Sequence, residues 1–235
     1  MQMNRNDRII LDQKVGDVTG NGVPDIVVLT GTKPYGSDTP FVDQVVLMIK
    51  NGATGVESSF ALPGSSGYNP TLYLGDFTGN KVNEILVRSD SGGSGGITYD
   101  FLYSYFNQSL TLLFDQESFY NAFSYGVKYL NDYQAKVENK TLQKTYIVSL
   151  LYKGEEYLSE VYNEDGTLKV PVQGDVLPPG GVYPIDLQRD GVNELLIYQR
   201  VIGRYNADGL GFLSTPIQWK ENRFVPMYQT LCIFG

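Results

Sequence analysis

Oxygen-bearing side chains crowd one short stretch near the start of the chain, "GDVTGNGVPDIVVLTG", from Gly16 to Gly31. Asp17, Thr19, Asn21 and Asp25 fall at alternating or near-alternating positions, and an apolar run follows at once. Carboxylate, hydroxyl and amide oxygens spaced in this way can wrap a hard cation such as Ca²⁺. The same residues can instead close a tight turn by side-chain-to-backbone hydrogen bonds. Both readings place a polar loop directly before a strand.

The stretch recurs. "LGDFTGNKVNEILVRSD" begins at Leu74 and "PIDLQRDGVNELLIYQR" at Pro184, with leading acids Asp17, Asp76 and Asp186. The first two acids are 59 residues apart and the next gap is 110, twice 55. That phase predicts a further unit near Asn131, where Tyr129 and Leu130 keep the apolar frame but Tyr133 and Ala135 replace the oxygens. A period of this size marks a repeat architecture.

The elements that must hold these loops read as strands. Each unit carries further strand-like runs, among them "DQVVLMIKNG", "YDFLYSYFNQ", "KTYIVSLLYKG", "EYLSEVYNEDG" and "GFLSTPIQWKENR". Turn signals at Asn51-Gly52, Asp165-Gly166 and Pro179-Gly180-Gly181 separate them. About four strands in about 55 residues is the format of a propeller blade. The expected fold is therefore all-β, a β-propeller of about four blades, each a four-stranded antiparallel sheet. It forms one domain over residues 1–235, with units at about 8–66, 67–121, 122–178 and 179–235. A closed ring predicts a monomer, and a half-ring would need a partner chain.

On these motifs the chain resembles the FG-GAP, or VCBS-type, repeats of integrin-α propellers and of bacterial proteins. The resemblance implies a calcium loop between the first two strands of a blade, with one or two Ca²⁺ sites. It also implies placement at a cell or spore-like surface and a role in adhesion. The implied ligands of the first loop are Asp17, Thr19, Asn21, Asp25 and the carbonyl of Val23, with Gly22 at the turn. Those of the last loop are Asp186, Gln188, Asp190, Glu194 and the carbonyl of Val192, in a looser cage because Gln188 and Glu194 are each one methylene longer. The second loop offers Asp76, Thr78, Asn80, Glu84 and the carbonyl of Val82, but Lys81 replaces the turn glycine and brings left-handed strain. In every loop the metal-free alternative is a turn that pins its hairpin.

Composition removes several chemistries. The 235 residues include no histidine, which excludes histidine-based triads and histidine-ligated zinc. A net charge of −8 with no basic patch argues against nucleic acid. The single cysteine, Cys232, lies in "TLCIFG", which predicts a buried thiol. The N-terminal stretch lacks a signal-peptide core, and no apolar run approaches membrane-spanning length.

Other candidates compete with structural readings. The glycine-rich "SDSGGSGGITYDF", Ser89 to Phe101, is either a flexible hairpin or a ligand cradle. Tyr99, Phe101, Tyr103 and Tyr105 alternate, so one strand face carries either packing or a tyrosine platform for sugars or peptides. The acidic pairs Glu155-Glu156 and Glu164-Asp165 lie in turn-rich, solvated stretches. The expected function is a non-enzymatic binding or structural module for a protein or glycan. The alternative is a carbohydrate-active enzyme using paired carboxylates.

Overall fold

The computed structural model describes residues 8–233. Among these residues the chain is all-β apart from two short α-helices and a 3₁₀ turn, and every strand pairing is antiparallel.

The first sheet contains β1 (Ile9–Gly16), β2 (Asp25–Thr32), β3 (Phe41–Lys50), β4 (Glu57–Ala61), β5 (Gly67–Gly75), β6 (Glu84–Asp90), β7 (Thr98–Phe106) and β8 (Ser109–Asp115). Helix α1 (Gln116–Asn121) leads out of it. The second sheet contains β9 (Tyr125–Leu130), β10 (Gln134–Asn139), β11 (Lys144–Ser149), β12 (Gln173–Ile185), β13 (Glu194–Ile202), β14 (Gly209–Lys220), β15 (Arg223–Pro226) and β16 (Thr230–Cys232). A 3₁₀ turn at Leu151–Lys153 and helix α2 (Glu155–Val161) interrupt it between β11 and β12.

The expected propeller of four blades is not what forms. The strands join into two continuous eight-stranded sheets. The reason lies in the length of two strands. β3 runs past its own hairpin, and Phe41 and Val42 pair with Tyr68 and Gly67 at the start of β5. β12 spans 13 residues, and Gln173 and Gly174 pair with Lys128 and Val127 of β9. Its later residues pair with β13 after irregularities at Val176, Pro179 and Gly181, which bend the strand between its two partners. Backbone pairing that would have ended at a blade boundary thus continues across it.

The burial pattern follows the sequence. Val45, Leu47 and Ile49 alternate inward on β3 and join Val27, Leu29, Ile85 and Val87 in one core. Val137, Val176, Val201, Leu210 and Leu213 form the core of the second sheet. A third cluster joins the sheets: Phe77, Leu86, Leu102 and Phe114 meet Val182, Leu195, Ile197 and Ile217. β6 is therefore buried on both faces, which is why it reads "EILV" rather than as an alternation.

Two local expectations are corrected. "EYLSEVYNEDG" is helix α2 and a turn, not a strand; Glu155 and Glu156 sit in the first helical turn, where the N-terminal dipole favours carboxylates. Cys232 is exposed, because Leu231 takes the inward slot of the short edge strand β16. The stretch around Asn131 does form a hairpin, β9–β10, and Asn131 accepts the Leu168 N–H through its side chain at 3.1 Å. No helix among the described residues is long and apolar enough to cross a membrane.

Candidate functional site

Each oxygen-rich loop joins two strands: Gly16–Asp25 lies between β1 and β2, Gly75–Glu84 between β5 and β6, and Ile185–Glu194 between β12 and β13. The three have closely related hydrogen-bond patterns, the leading aspartate accepting from the fourth and sixth positions in the first two and from the fifth and sixth in the last. Asp17 accepts the N–H groups of Gly20 and Gly22, both at 2.7 Å. Asp76 accepts those of Gly79 and Lys81, both at 2.7 Å, and Asp186 those of Asp190 and Gly191 at 3.1 and 3.0 Å. At the fifth position Asn21, Asn80 and Asp190 each accept the N–H of the valine two residues on, Val23, Val82 and Val192.

The ninth-position carboxylates, Asp25, Glu84 and Glu194, are almost completely buried. Asp25 takes N–H groups from Val18, Thr19 and Gly52. Glu84 takes the Phe77 N–H and the Thr78 hydroxyl, and Glu194 takes the Leu187 N–H and the Gln188 amide. Burial, with some repulsion from Asp76, holds the Glu84 carboxyl above its ordinary range. Asp17 goes the other way: its desolvation is outweighed by the N–H groups of Gly22 and Gly20.

These contacts bear on calcium. In the second and last loops the third-position residue, Thr78 or Gln188, spends its donor directly on the ninth-position carboxylate. The negative charge that an ion would neutralise is met by N–H and O–H groups of the loop itself. Among the described residues no cluster of three or more His, Cys, Asp or Glu has the placement of a metal site. The loops also touch one another: Asn83 N–H donates to the Asp17 carbonyl at 2.9 Å, and Asn193 N–H to the Asp76 carbonyl at 2.6 Å. The three form a stack of turns. In the first loop the matching position is Pro24, which has no N–H to give.

A second polar cluster holds α2. Asp208, with a side chain 1% exposed, accepts Lys153 Nζ at 2.7 Å, Tyr157 Oη at 2.8 Å, Tyr129 Oη at 3.2 Å and the Arg204 N–H at 2.9 Å. Burial alone would raise its pKa, but these donors, Lys153 foremost, hold the carboxyl below its usual range. Burial and Asp208 push the Tyr157 phenol upward, and Tyr129 likewise, so neither is prepared to act as a base. The cluster anchors the helix.

The features that could receive a ligand lie beside the glycine-rich loop. Residues 91–96 are fastened from the second sheet: Arg200 donates to the carbonyls of Ser94 and Gly95 at 3.3 and 3.4 Å, and to that of Asn206 at 2.8 Å. The loop also crosses β12, where a Cβ on Gly180 would stand 2.5 Å from the Gly96 carbonyl oxygen. At this crossing is a cleft of about 410 Å³, lined by Tyr183, Tyr198, Arg200 and Phe212 with Gly96 and Gly180. Tyr183 and Tyr198 meet edge to face at 6.0 Å, and Arg88 stacks on Tyr183 at 4.8 Å. Arg88 in turn lies 3.9 Å from Asp100, a fully buried carboxyl whose Oδ2 accepts the Thr98 hydroxyl and whose Oδ1 has no hydrogen-bond partner. Burial pushes Asp100 up to about 7. A second cleft beside the same loop is lined by Tyr99, Gln116, Glu117, Tyr120 and Asn121, with Gly93 of the loop and Pro178 of β12.

The sequence signalled half of this arrangement. The glycine-rich loop and Tyr99 are candidates on their own residues, whereas Tyr183, Tyr198 and Arg200 flank the last oxygen-rich loop and carry no signal of a cleft. Tyr103 and Tyr105 are core residues, and Phe101 stacks on Tyr103 at 6.3 Å.

Comparison with known proteins corrects the family. A family described as the YybI C-terminal domain matches residues 123–232, which spans the second sheet. The Uncharacterized protein YybI of Bacillus subtilis (strain 168) is 45% identical over 228 residues, covering 97% of this chain and 86% of its own length. Among solved structures, a Bacillus licheniformis rhamnogalacturonan lyase PL11 aligns with a TM-score of 0.40 and 11% identity. The alignment covers 95% of this chain but 34% of the lyase, so the chain spans about a third of that protein's length. The expected membership of the FG-GAP or VCBS repeats is thus overturned, and the calcium, adhesion and surface placement that it implied lose that support. By its likeness to YybI along nearly its whole length, the chain belongs to the YybI family.

Proposed function

We propose that this protein is a non-enzymatic binding module whose ligand is a saccharide carrying an acidic unit, held in the Tyr183–Tyr198–Arg200 cleft. The observation that carries the reading is the pairing of aromatic rings with a pre-positioned arginine at one concave site. Tyrosine rings offer an apolar face to the C–H groups of a sugar and a hydroxyl to its oxygens. Arg200 is oriented by three loop carbonyls, so its remaining N–H groups can meet a carboxylate with little ordering cost. The cleft volume suits a small ligand unit. In this reading the three oxygen-rich loops are architectural turns that close without an ion.

A carbohydrate-active enzyme is the second reading. It is favoured by one observation: Glu155 and Glu164 line a single cavity of about 590 Å³ with Lys169, Tyr133 and Tyr162. Both glutamates are exposed. A glycan array run beside a hydrolase and lyase panel separates the two. Binding without turnover, weakened at least tenfold by Tyr183→Ala or Tyr198→Ala, supports the module. Turnover that is abolished by Glu155→Gln or Glu164→Gln supports the enzyme.

A further inference from the structure

We propose that the second cleft beside the glycine-rich loop, the one lined by Tyr99 and Tyr120, is a second subsite for a neutral sugar unit, so that the ligand is a chain of at least two units. The inference rests on the reading above.

Tyr99 of β7 and Tyr120 of α1 give this cleft of about 590 Å³ two half-buried rings. Tyr120 is fixed in place: its hydroxyl donates to the Val176 carbonyl at 3.1 Å, and its ring stacks on Tyr125 at 6.3 Å. Gln116 is oriented as well, because its Oε1 accepts the Asp100 N–H at 3.0 Å, which leaves the amide NH₂ for a ligand. Glu117 and Asn121 are exposed and add a carboxylate and a second amide. Amides and a carboxylate beside aromatic rings match sugar hydroxyls, which both donate and accept. Glu117 would repel a second acidic unit, so the two clefts differ in the charge they accept.

The clefts adjoin. Pro178 of β12 lines the second, and Gly180, where the loop crosses β12, lines the first. Two residues of chain span at most about 7 Å. One short oligosaccharide can therefore reach both, and the second contact becomes intramolecular.

The test is calorimetric titration of the full chain with glucuronic acid alone and with aldouronic oligosaccharides, in which one glucuronate is joined to two or three neutral xylose units. The oligosaccharides should bind at least tenfold more tightly than the monosaccharide. Glu117→Ala and Asn121→Ala, both surface changes, should each remove a large part of that gain and leave glucuronic acid binding unchanged. Equal affinity for monomer and oligomer, or a gain that survives both changes, overturns the second subsite while leaving the first cleft intact. No binding of any of these probes overturns the reading of the first cleft, and the subsite with it.

Discussion

The N–H of Asn83 donates to the carbonyl of Asp17 at 2.9 Å, across 66 residues of chain. The same contact joins Asn193 to Asp76. Three copies of one turn are thus stacked side by side, and each carries its own set of N–H donors on a leading aspartate.

That arrangement fixes the expected response to calcium. Removing the Asp17 carboxylate leaves the Gly20 and Gly22 N–H groups to water, a loss of about 1–2 kcal/mol. For a domain of this size that lowers Tm by roughly 2–8 °C. Asp17→Ala should show the same loss in calcium and in chelator, and the unaltered protein should melt at one temperature in both. A fall of 5–10 °C on chelation of the unaltered protein would instead restore an ion to the loop.

Backbone strain distinguishes the second loop. The sixth position has φ of 79° at Gly22, 66° at Lys81 and 87° at Gly191. A left-handed lysine costs about 1–2 kcal/mol, of which glycine recovers part after its own entropy cost. Lys81→Gly should therefore raise Tm by roughly 1–4 °C, and Gly22→Lys should lower it. Thermal melts in which Lys81→Gly is destabilising would show that the lysine makes a compensating contact.

Asp100 sets a pH dependence. Its folded pKa, about 7, lies above the ordinary value of 3.8 because burial outweighs the Thr98 hydroxyl and the attraction of Arg88, with Asp90 adding repulsion. The folded state therefore holds this proton more tightly than the unfolded chain does. Its stabilising effect is complete below about pH 4 and is lost as pH rises through 7. Asp100→Asn cannot ionise, so its stability relative to the unaltered protein should grow between pH 4 and 8 and then level off. Parallel stability curves for the two proteins across this range would contradict the assignment.

Asp208 should control α2. It answers Lys153, Tyr157 and Tyr129 together, and removing one partner of a buried ion pair typically costs 3–5 kcal/mol. Asp208→Ala should expose Glu155–Val161 to hydrogen exchange well before the strands open. Protection of that segment equal to the unaltered protein would place the anchor elsewhere.

Local periodicity carried much of the fold into view. A strand-like run marked β3, alternating aromatics marked β7, and the repeated loops were legible residue by residue. What did not show was how far a strand continues. β3 and β12 pair with strands of the next unit, and nothing in their residues distinguishes a strand that stops at a blade edge from one that runs on. The cleft was hidden for a related reason. Tyr198 and Arg200 share a face of β13, but Tyr183 meets them only through the β12–β13 register, with Tyr198 opposite Gly181. The loop that completes the cleft comes from the other sheet.

Calorimetric titration of the full chain with an aldouronic oligosaccharide tests the central claim most directly. The account predicts a saturating heat with one ligand per chain, reduced at least tenfold in affinity by Tyr198→Ala, and no heat after saturation. Absence of any binding heat would contradict it, as would a steady heat that continues after saturation and reports turnover.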